Sequence, residues 1–321
     1  MTSCYPLFSG SPGRKARPAS SAVPTTFTGS DGLELRASRY GEFTAPIVLL
    51  LHGGGQTRHA WADTARTLAE EGYCAITLDA RGHGDSDWCP LGDYSAQTLA
   101  ADLRAVIRAL PAEPIIVGAS MGGLTALLAI GEDPSLGCTA LVLVDVAPQL
   151  ERRGVQRIIE FMRRHQDGFE TLEQARDAVA AYNPHRPPPE DLSGLRKNVR
   201  QHSDGRFYWH WDPAFLDHAN APTDTGSMFD PARLERAASE LDLPVLLIRG
   251  YHSDVLSDQG ARELLSLIPS ARYTVLEQTG HMVAGDRNDV FTEAVLNFLH
   301  DRSAAETSPE VVSQCHNGAT Q

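Results

Sequence analysis

Short apolar runs alternate with longer amphipathic stretches along most of this chain, and this alternation constrains its fold more than any other feature. The apolar runs are mostly bounded by Gly, Pro or Asp, as buried strands of a parallel sheet are. They lie at 47–51, 74–78, 115–117, 140–144, 245–248 and 273–276. Helical spacing of apolar residues occurs at 60–71, 96–110, 123–131, 259–267 and 289–299. The pattern predicts an α/β fold with a doubly wound, mostly parallel sheet and helices on both faces.

One interval interrupts this alternation. Between about 148 and 243 no strand is predicted, whereas helical spacing occurs near 154–164, 172–182 and 192–202. The sequence therefore predicts a helical cap at 148–243, inserted between two parts of a core at 28–147 and 244–301. We expect the insertion to lie over the carboxyl ends of the strands, where open α/β sheets bind ligands.

Both ends of the chain have the composition of disordered tails. Residues 1–27 are rich in Ser, Pro, Gly and Thr, and residues 302–321 are small and polar. Basic residues near the start are followed by no apolar segment, so we expect no secretory signal.

Charge and cysteine content exclude several classes of protein. The 321-residue chain has a formal net charge of −13, which disfavours nucleic acid or an anionic membrane as a partner. No apolar stretch reaches the roughly 18 residues that a membrane-spanning helix needs. The five cysteines are widely spaced and form no Cys-x-x-Cys pair. They indicate reduced thiols of a cytoplasmic protein, not a disulfide framework or a zinc site.

The sequence Gly-Ala-Ser-Met-Gly-Gly at 118–123 lies between a predicted strand and an apolar helical stretch. Gly-x-Ser-x-Gly at such a junction is typical of a nucleophile elbow. It would expose Ser120 at a helix N-terminus and direct the Met121 N–H at a developing oxyanion. The alternative is a glycine-rich turn in which the serine only caps the helix.

A second glycine-rich segment, His-Gly-Gly-Gly at 52–55, follows the first predicted parallel strand. Backbone N–H groups there can complete an oxyanion hole with Met121, and Gly54 is the preferred donor. The alternative is a flexible turn. We expect His52 to order the loop, and His52 and Gly53 are also candidate substrate contacts.

A serine nucleophile needs a base, and the base needs an orienting carboxylate. His281 follows the last predicted strand, so it is the candidate base. Asp254, after the strand at 245–248, is the candidate acid, and Asp258 and Asp145 are rivals. Each of these aspartates can also be a simple turn former or helix cap.

Five segments together resemble the α/β-hydrolase fold family over about residues 28–300. They lie at 52–55, 79–86, 118–123, 253–254 and 280–281. The resemblance implies that Ser120 is the nucleophile, His281 the general base and acid, and Asp254 its orienting residue. The chain looks closest to capped bacterial esterases, lactonases and C–C bond hydrolases, with a looser likeness to monoalkyl phthalate hydrolases. Serine at the elbow argues against epoxide hydrolases and haloalkane dehalogenases, which use aspartate there.

The predicted cap contains the residues that would choose the substrate. Four aromatic residues occur at 207–211, and Trp209 and Trp211, with Phe161 and Met162, are candidates for the pocket wall. The alternative is that they form the cap's own core. Five arginines at 152–164 are typical of a solvated face, and the alternative is that one binds a substrate carboxylate.

These features predict a serine hydrolase that cleaves a small or medium carboxylic ester through an acyl-enzyme. Lactones and monoalkyl esters of an aromatic diacid such as phthalate fall within that class. We expect no metal or organic cofactor and a small-molecule ester as partner, and the sequence leaves open whether the chain forms a homo-oligomer. One alternative is a C–C bond hydrolase or cofactor-free perhydrolase with the same triad. Another is a non-catalytic ligand-binding protein of the same fold.

Overall fold

The computed structural model describes residues 21–182, 191–219, 228–281 and 288–307. These residues form ten strands, eight of them in one sheet. In chain order the strands are β1 (Val23–Thr28), β2 (Glu34–Tyr40), β3 (Ile47–Leu51), β4 (Cys74–Leu78), β5 (Ile115–Ala119), β6 (Ala140–Val144), β7 (Val199–Gln201), β8 (Phe207–Trp209), β9 (Val245–Gly250) and β10 (Arg272–Leu276). The sheet has the order β1-β2-β4-β3-β5-β6-β9-β10. Strand β2 is antiparallel to both of its neighbours. The other six strands of the sheet are parallel to one another: β4, β3, β5, β6, β9 and β10.

Helices cover both faces of this sheet. Those described are α1 (Ala62–Glu70), α2 (Ala96–Ala109), α3 (Met121–Gly131), α4 (Arg152–Arg164), α5 (Leu172–Tyr182), α6 (Phe215–Ala219), α7 (Pro231–Ser239), α8 (Asp258–Leu267) and α9 (Asn288–Thr307). Side chains alternate along β3: Leu49 joins the core under α2, α3, α7 and α8, and Leu50 joins the core under α1 and α9. Both cores are buried and apolar, which confirms the predicted α/β class and the doubly wound sheet.

The ends of the described chain differ from the predicted tails. Strand β1 begins inside the predicted tail at 1–27, because it pairs along its whole length with β2 and buries Phe27. Helix α9 continues past the predicted start of the second tail at residue 302. Residues 1–20 and 308–321, which hold the rest of both predicted tails, lie outside the described residues.

The segment between β6 and β9 is mixed, not purely helical as predicted. Helices α4 and α5 occupy two of the three predicted helical stretches. The third, at 192–202, contains a short 3-10 turn and then β7, which pairs with β8 as a hairpin. Residues 203–205 form its loop, in which Gly205 N–H donates to the His202 carbonyl at 3.0 Å, Gly205 has a φ of +83°, and Tyr208 donates to Asp204 at 2.7 Å. A three-residue hairpin loop that ends on a left-handed glycine is common, and aromatic residues favour strands.

Helix α7 lies within the predicted cap range but packs on the core of the sheet. A Cβ on Gly131 of α3 would lie 2.1 Å from the Ala237 carbonyl oxygen, so the two helices touch through their backbones. Leu234 of α7 is fully buried in the same core. We therefore use "the insertion" only for the described residues of 149–219.

Backbone hydrogen bonds attach the insertion to the loop at 79–86, which follows β4. Gly84 N–H donates to the His210 carbonyl at 2.7 Å, and Asp212 N–H donates to the Gly82 carbonyl at 2.7 Å. The Tyr94 hydroxyl also donates to the Asp212 carboxylate. The insertion is thus held against the carboxyl end of β4. Among the described residues, no helix has both the length and the apolar character needed to cross a membrane.

Candidate active site

Ser120 occupies a sharp turn between β5 and α3. Its φ of 47° and ψ of −117° lie in a region that non-glycine residues rarely adopt, at a cost of about 1–3 kcal/mol. Its N–H donates to the Val144 carbonyl on the neighbouring strand at 3.2 Å, and its carbonyl accepts from Leu124 N–H at 3.0 Å. These bonds hold the strained residue at the carboxyl end of the sheet.

The glycines of the motif permit this turn because their Cα atoms lie against other backbone. A Cβ on Gly118 would lie 2.6 Å from the Gly123 Cα, and one on Gly122 would lie 2.7 Å from the His52 carbonyl oxygen. A Cβ on Gly123 would lie 2.6 Å from Val146 Cγ1. No ordinary side chain fits at these three positions, so the predicted elbow is present as a packing unit.

His281 is hydrogen-bonded to Asp145 and not to Asp254. Its Nδ1 lies 2.7 Å from Asp145 Oδ2, and both side chains are buried. Asp145 directly follows β6 and has a φ of 52°, a conformation that aspartate tolerates better than most residues. Val144, which accepts the Ser120 N–H, directly precedes Asp145 in the chain. The backbone of Asp145 is therefore next to the turn that carries Ser120.

Two further donors fix the Asp145 carboxylate. Gly250 N–H donates to Oδ1 at 2.8 Å, and the Ser253 hydroxyl donates to Oδ2 at 2.5 Å. Ser253 Oγ itself accepts the N–H groups of Val255 and Leu256 at 3.2 and 3.1 Å. Its proton is therefore directed to Asp145. Ser253 lies in the segment at 253–254 that resembles the α/β-hydrolase fold family, but no role was predicted for it.

The prediction that Asp254 orients His281 is wrong in this structure. The chain turns after β9, with Ser253 N–H bonded to the Gly250 carbonyl, so Ser253 rather than Asp254 faces Asp145. Asp254 points outward and pairs with Arg157 of α4 at 2.9 Å. The rival Asp258 pairs with Arg249 at 3.1 Å. The signal for Asp145 was its place directly after a fully buried central strand.

The glycine loop after β3 runs beside Ser120. A Cβ on Gly53 would lie 3.4 Å from Ser120 Cβ. Gly53 N–H donates to Gln56 Oε1 at 3.0 Å, and Gly55 N–H donates to His83 Nε2 at 3.1 Å. Within the described chain, the N–H of Gly54 donates no hydrogen bond. The geometry is compatible with the predicted oxyanion donors Gly54 and Met121, which stay a prediction.

His52 orders this loop and offers no polar atom to a substrate. The ring is 2% exposed, its Nδ1 donates to the Gly53 carbonyl at 2.8 Å, and its Nε2 accepts from Ala80 N–H at 3.0 Å. Burial lowers the pKa of His52, which keeps the ring neutral. Backbone groups occupy both ring nitrogens, so a polar contact with a substrate is excluded, and a contact through the carbon face of the His52 ring stays a prediction.

The aromatic residues of the insertion pack mainly with one another. Phe161 lies 5.9 Å from Trp209 between ring centroids, and Trp209 lies edge-on to Phe169 at 5.1 Å. Trp211 is 4% exposed and forms a backbone bridge with His83. These contacts favour the alternative in which the aromatic residues form the cap's own core. Contact of Phe161, Trp209 or Trp211 with a substrate stays a prediction.

Two other side chains of the insertion contact the glycine loop. Phe215 Cζ lies 3.5 Å from the position of a Cβ on Gly54, and Met162 Cε lies 3.0 Å from that on Gly55. Both side chains are buried. Met162 was a sequence candidate. Phe215 was missed, because it lies in a five-residue helix that carries no motif.

The arginines of α4 form a mostly solvated face. Arg152, Arg153, Arg163 and Arg164 are exposed. Arg157 pairs with Asp254 and lies over the Tyr182 ring at 5.1 Å. Among the described residues, no three His, Cys, Asp or Glu side chains are grouped so that they could hold a metal ion.

Known proteins are similar to this chain in both sequence and fold. The sequence model of the alpha/beta hydrolase fold matches residues 46–287. Esterase Rv0045c of Mycobacterium tuberculosis is 32% identical over 281 residues, which cover 84% of this chain and 87% of the esterase. The sn-1-specific diacylglycerol lipase ABHD11 of Mus musculus is 28% identical over 302 residues, with 87% and 92% covered.

Solved structures agree with these relatives. The structure of esterase Rv0045c has a TM-score of 0.72 at 30% identity and covers 88% of this chain and 93% of its own. An alpha/beta hydrolase from Novosphingobium aromaticivorans has a TM-score of 0.73 at 28% identity, with 87% and 98% covered. The matched range includes the elbow, Asp145 and His281. The chain belongs to the alpha/beta hydrolase fold family, and esterases are among its relatives.

Proposed function

We propose that this protein is a serine hydrolase that cleaves a carboxylic ester through an acyl-enzyme. One observation carries the proposal: the strained Ser120 is bonded to Val144, and the next residue, Asp145, holds His281. This arrangement at the carboxyl ends of β5 and β6 supports the roles of Ser120 as nucleophile, Asp145 as acid and His281 as base. The relatives named esterase Rv0045c and diacylglycerol lipase ABHD11 support ester hydrolysis.

In the proposed reaction, Ser120 Oγ attacks the ester carbonyl carbon while His281 takes the hydroxyl proton. The carbon–oxygen bond to the alcohol then breaks, and His281 gives its proton to the leaving alkoxide. Water enters, loses a proton to His281 and hydrolyses the acyl-enzyme, which restores the Ser120 hydroxyl. Asp145 holds the ring through Nδ1 and stabilises the imidazolium that forms twice in each cycle.

The oxyanion of each tetrahedral intermediate needs donors that are already in place. We assign this role to the N–H groups of Gly54 and Met121. Gly54 lies in the loop beside Ser120, and Met121 is the first residue of α3. One such donor commonly contributes about 3 kcal/mol to transition-state stabilisation.

The insertion serves in this proposal as a cap that sets substrate size. Phe215 and Met162 cover the glycine loop, so an apolar acyl or alcohol group would meet their side chains. Small and medium esters, lactones and monoalkyl esters of an aromatic diacid are the substrates to compare.

Ser120→Ala tests the nucleophile. We expect kcat for p-nitrophenyl acetate, butyrate and octanoate to fall at least about 10³-fold, with labelling by a fluorophosphonate probe lost and the fold kept. Ser135→Ala, at an exposed loop serine, is the matched control and should keep wild-type rates. Spectrophotometric assays and circular dichroism measure these outcomes.

Other results would point to the alternative functions. Slow turnover of every ester would favour one of the two reactions that use the same triad. Ser120-dependent cleavage of a vinylogous 1,5-diketone would favour C–C bond hydrolysis. Ser120-dependent formation of peracid from acetate and peroxide would favour perhydrolysis. A wild-type protein that neither turns over esters nor reacts with the probe would contradict catalysis and favour a ligand-binding protein.

A further inference from the structure

His83 lies where the glycine loop, the loop at 79–86 and the insertion meet. Its Nε2 accepts the Gly55 N–H at 3.1 Å, and its Nδ1 lies 3.1 Å from the Arg81 carbonyl oxygen. The side chain is fully buried. Both ring nitrogens are therefore committed to backbone groups of two different loops.

These contacts define the form of the ring. A nitrogen that accepts an N–H carries no proton, so Nε2 is bare and Nδ1 donates to Arg81. Burial is the main cause that lowers the pKa of His83 to about 3, and neighbouring His52 and His210 lower it further. Nε2 of His83 therefore stays an acceptor for the Gly55 N–H at neutral pH.

The insertion contacts the other side of the same ring. Phe215 packs edge-on against His83 with ring centroids 4.9 Å apart, and the His83 backbone bridges to Trp211. Phe215 also covers Gly54. One imidazole therefore links the proposed cap to the loop that supplies a proposed oxyanion donor.

We propose that His83 is a positioning residue that holds the Gly54 N–H toward the oxyanion by fixing the peptide on its carboxyl side. The peptide that carries the Gly54 N–H is held through its own carbonyl, because Gly53 O accepts from His52 Nδ1 at 2.8 Å and from Gln56 N–H at 3.1 Å. The following peptide is held by the bond from Gly55 N–H to His83, so His83 restrains the Gly54 N–H from the carboxyl side. Gly55 has a φ of +75°, a region that glycine leaves easily when nothing restrains it. This inference rests on the proposed ester hydrolysis.

Two polar substitutions separate the ring's bonds. His83→Gln places an amide oxygen near the position of Nε2 and retains an acceptor for Gly55. His83→Asn places its amide near the position of Nδ1, which retains the bond to Arg81 but leaves Gly55 without its acceptor. The two variants differ by one methylene group, so they compare the two bonds inside the same buried environment.

We expect His83→Asn to lower kcat for p-nitrophenyl butyrate about 10- to 100-fold with KM changed less than about threefold, because a misplaced donor weakens transition-state binding. His83→Gln should stay within about threefold of wild-type kcat. Tyr94→Phe is the matched control, because it removes the hydroxyl that donates to Asp212 of the insertion and accepts from Cys89 N–H, without touching Gly55. Its kcat should stay close to wild type at comparable thermal stability.

The outcomes distinguish this inference from the proposed function. If wild-type turnover is absent or independent of Ser120, both are overturned. If Ser120-dependent turnover is present and His83→Asn keeps wild-type kcat, or His83→Gln falls as far as a folded His83→Asn, only the role of His83 is overturned. If His83→Asn does not fold, His83→Leu with the Gln variant supplies the same comparison. A folded Leu variant with full kcat also overturns the role.

Discussion

A carboxylate that is fully buried, as Asp145 is, is costly unless donors surround it. Three donors do so here: the His281 ring, the Gly250 N–H and the Ser253 hydroxyl. Hydrogen bonds of this kind offset the hydration that a carboxylate loses on burial. Asp145 is thus held in one orientation, which is what a partner for a catalytic imidazole requires.

Exchanging each candidate aspartate for asparagine tests which one supports His281. We expect Asp145→Asn to lower kcat on p-nitrophenyl esters by about 10⁴-fold, because the amide can hold the wrong imidazole tautomer. Asp254→Asn is the matched control and should change kcat less than about threefold, because it breaks only the exposed pair with Arg157. Steady-state kinetics at fixed pH measure both.

The reverse ranking, with Asp254→Asn the slower enzyme, would restore the original sequence assignment. Equal, small effects of both variants would remove the acid from the mechanism. Ser253→Ala offers an intermediate case, since Asp145 would keep two of its three donors. We expect a smaller loss of kcat than for Asp145→Asn.

At the residue scale, the sequence identifies groups whose chemistry is tied to a local motif. Ser120 is recognisable because Gly118, Gly122 and Gly123 have no room for side chains. The partner of His281 is not local. It depends on how the chain turns after β9, where one residue decides whether Ser253 or Asp254 faces inward. No spacing rule in one sequence contains that information.

The nucleophile elbow is the element in which side-chain volume matters most. Gly122→Ala would place a Cβ 2.7 Å from the His52 carbonyl oxygen and from Leu51 Cβ. We expect it to lower the free energy of unfolding by about 1–3 kcal/mol, although alanine is the better helix former. Urea denaturation measures the loss. Gly194→Ala, where no atom lies within 4 Å of the new Cβ, should stay within about 0.5 kcal/mol of wild type.

An equal response of Gly122→Ala and Gly194→Ala would show that the elbow relaxes without cost. In that case the close approach of α3 to the glycine loop would not restrict the position of Ser120. A large loss of kcat in Gly122→Ala with a small loss of unfolding free energy would instead indicate that the new Cβ displaces the loop that begins at His52.

Elements with strong periodicity were predictable, and those that depend on long-range pairing were not. The buried runs that form β3 to β6 and β9 were found because each is apolar and closed by a turn residue. Strand β1 was missed because Val23–Thr28 is mostly exposed and is ordered by pairing with β2. The hairpin of β7 and β8 was missed because two three-residue strands are too short for periodicity to show.

On the scale of the whole molecule, Glu132 connects three helices on one face of the sheet. It follows α3 and accepts from Arg233 of α7 at 2.8 Å and from Arg104 of α2 at 3.1 Å. Arg104 also donates to the last carbonyls of α3, at Leu128 and Ala129. Hydrogen bonds from Arg233, and then from Arg104, hold the pKa of Glu132 below its usual value against the opposing effect of burial.

Glu132→Gln tests this connection through its pH dependence. A lowered folded-state pKa gives stability that is fully present above the unfolded pKa of about 4.3 and is lost as pH falls through the folded value. We expect the variant to lose about 1 kcal/mol at pH 7, because the carboxylate is partly exposed and screened. The difference from wild type should shrink below about pH 4. Urea denaturation across that range measures it.

Asp63→Asn is the control for this effect, since Asp63 pairs with exposed Arg66 inside one helix. We expect it to change stability by less than about 0.3 kcal/mol. A Glu132→Gln difference that is constant from pH 7 to pH 3.5 would contradict an electrostatic origin. It would assign the loss to packing between α2, α3 and α7.

The bond from His281 to Asp145 spans 136 positions of the chain, whereas Asp145 follows Ser120 closely. During synthesis, the proposed nucleophile and acid therefore leave the ribosome long before the base does. Domains generally fold as units, so the sheet cannot close around Asp145 until β9 has been made. A growing chain of this protein would carry Ser120 and Asp145 without Gly250, Ser253 and His281, which hold the carboxylate. It would become able to hydrolyse an ester only when its last strand docks.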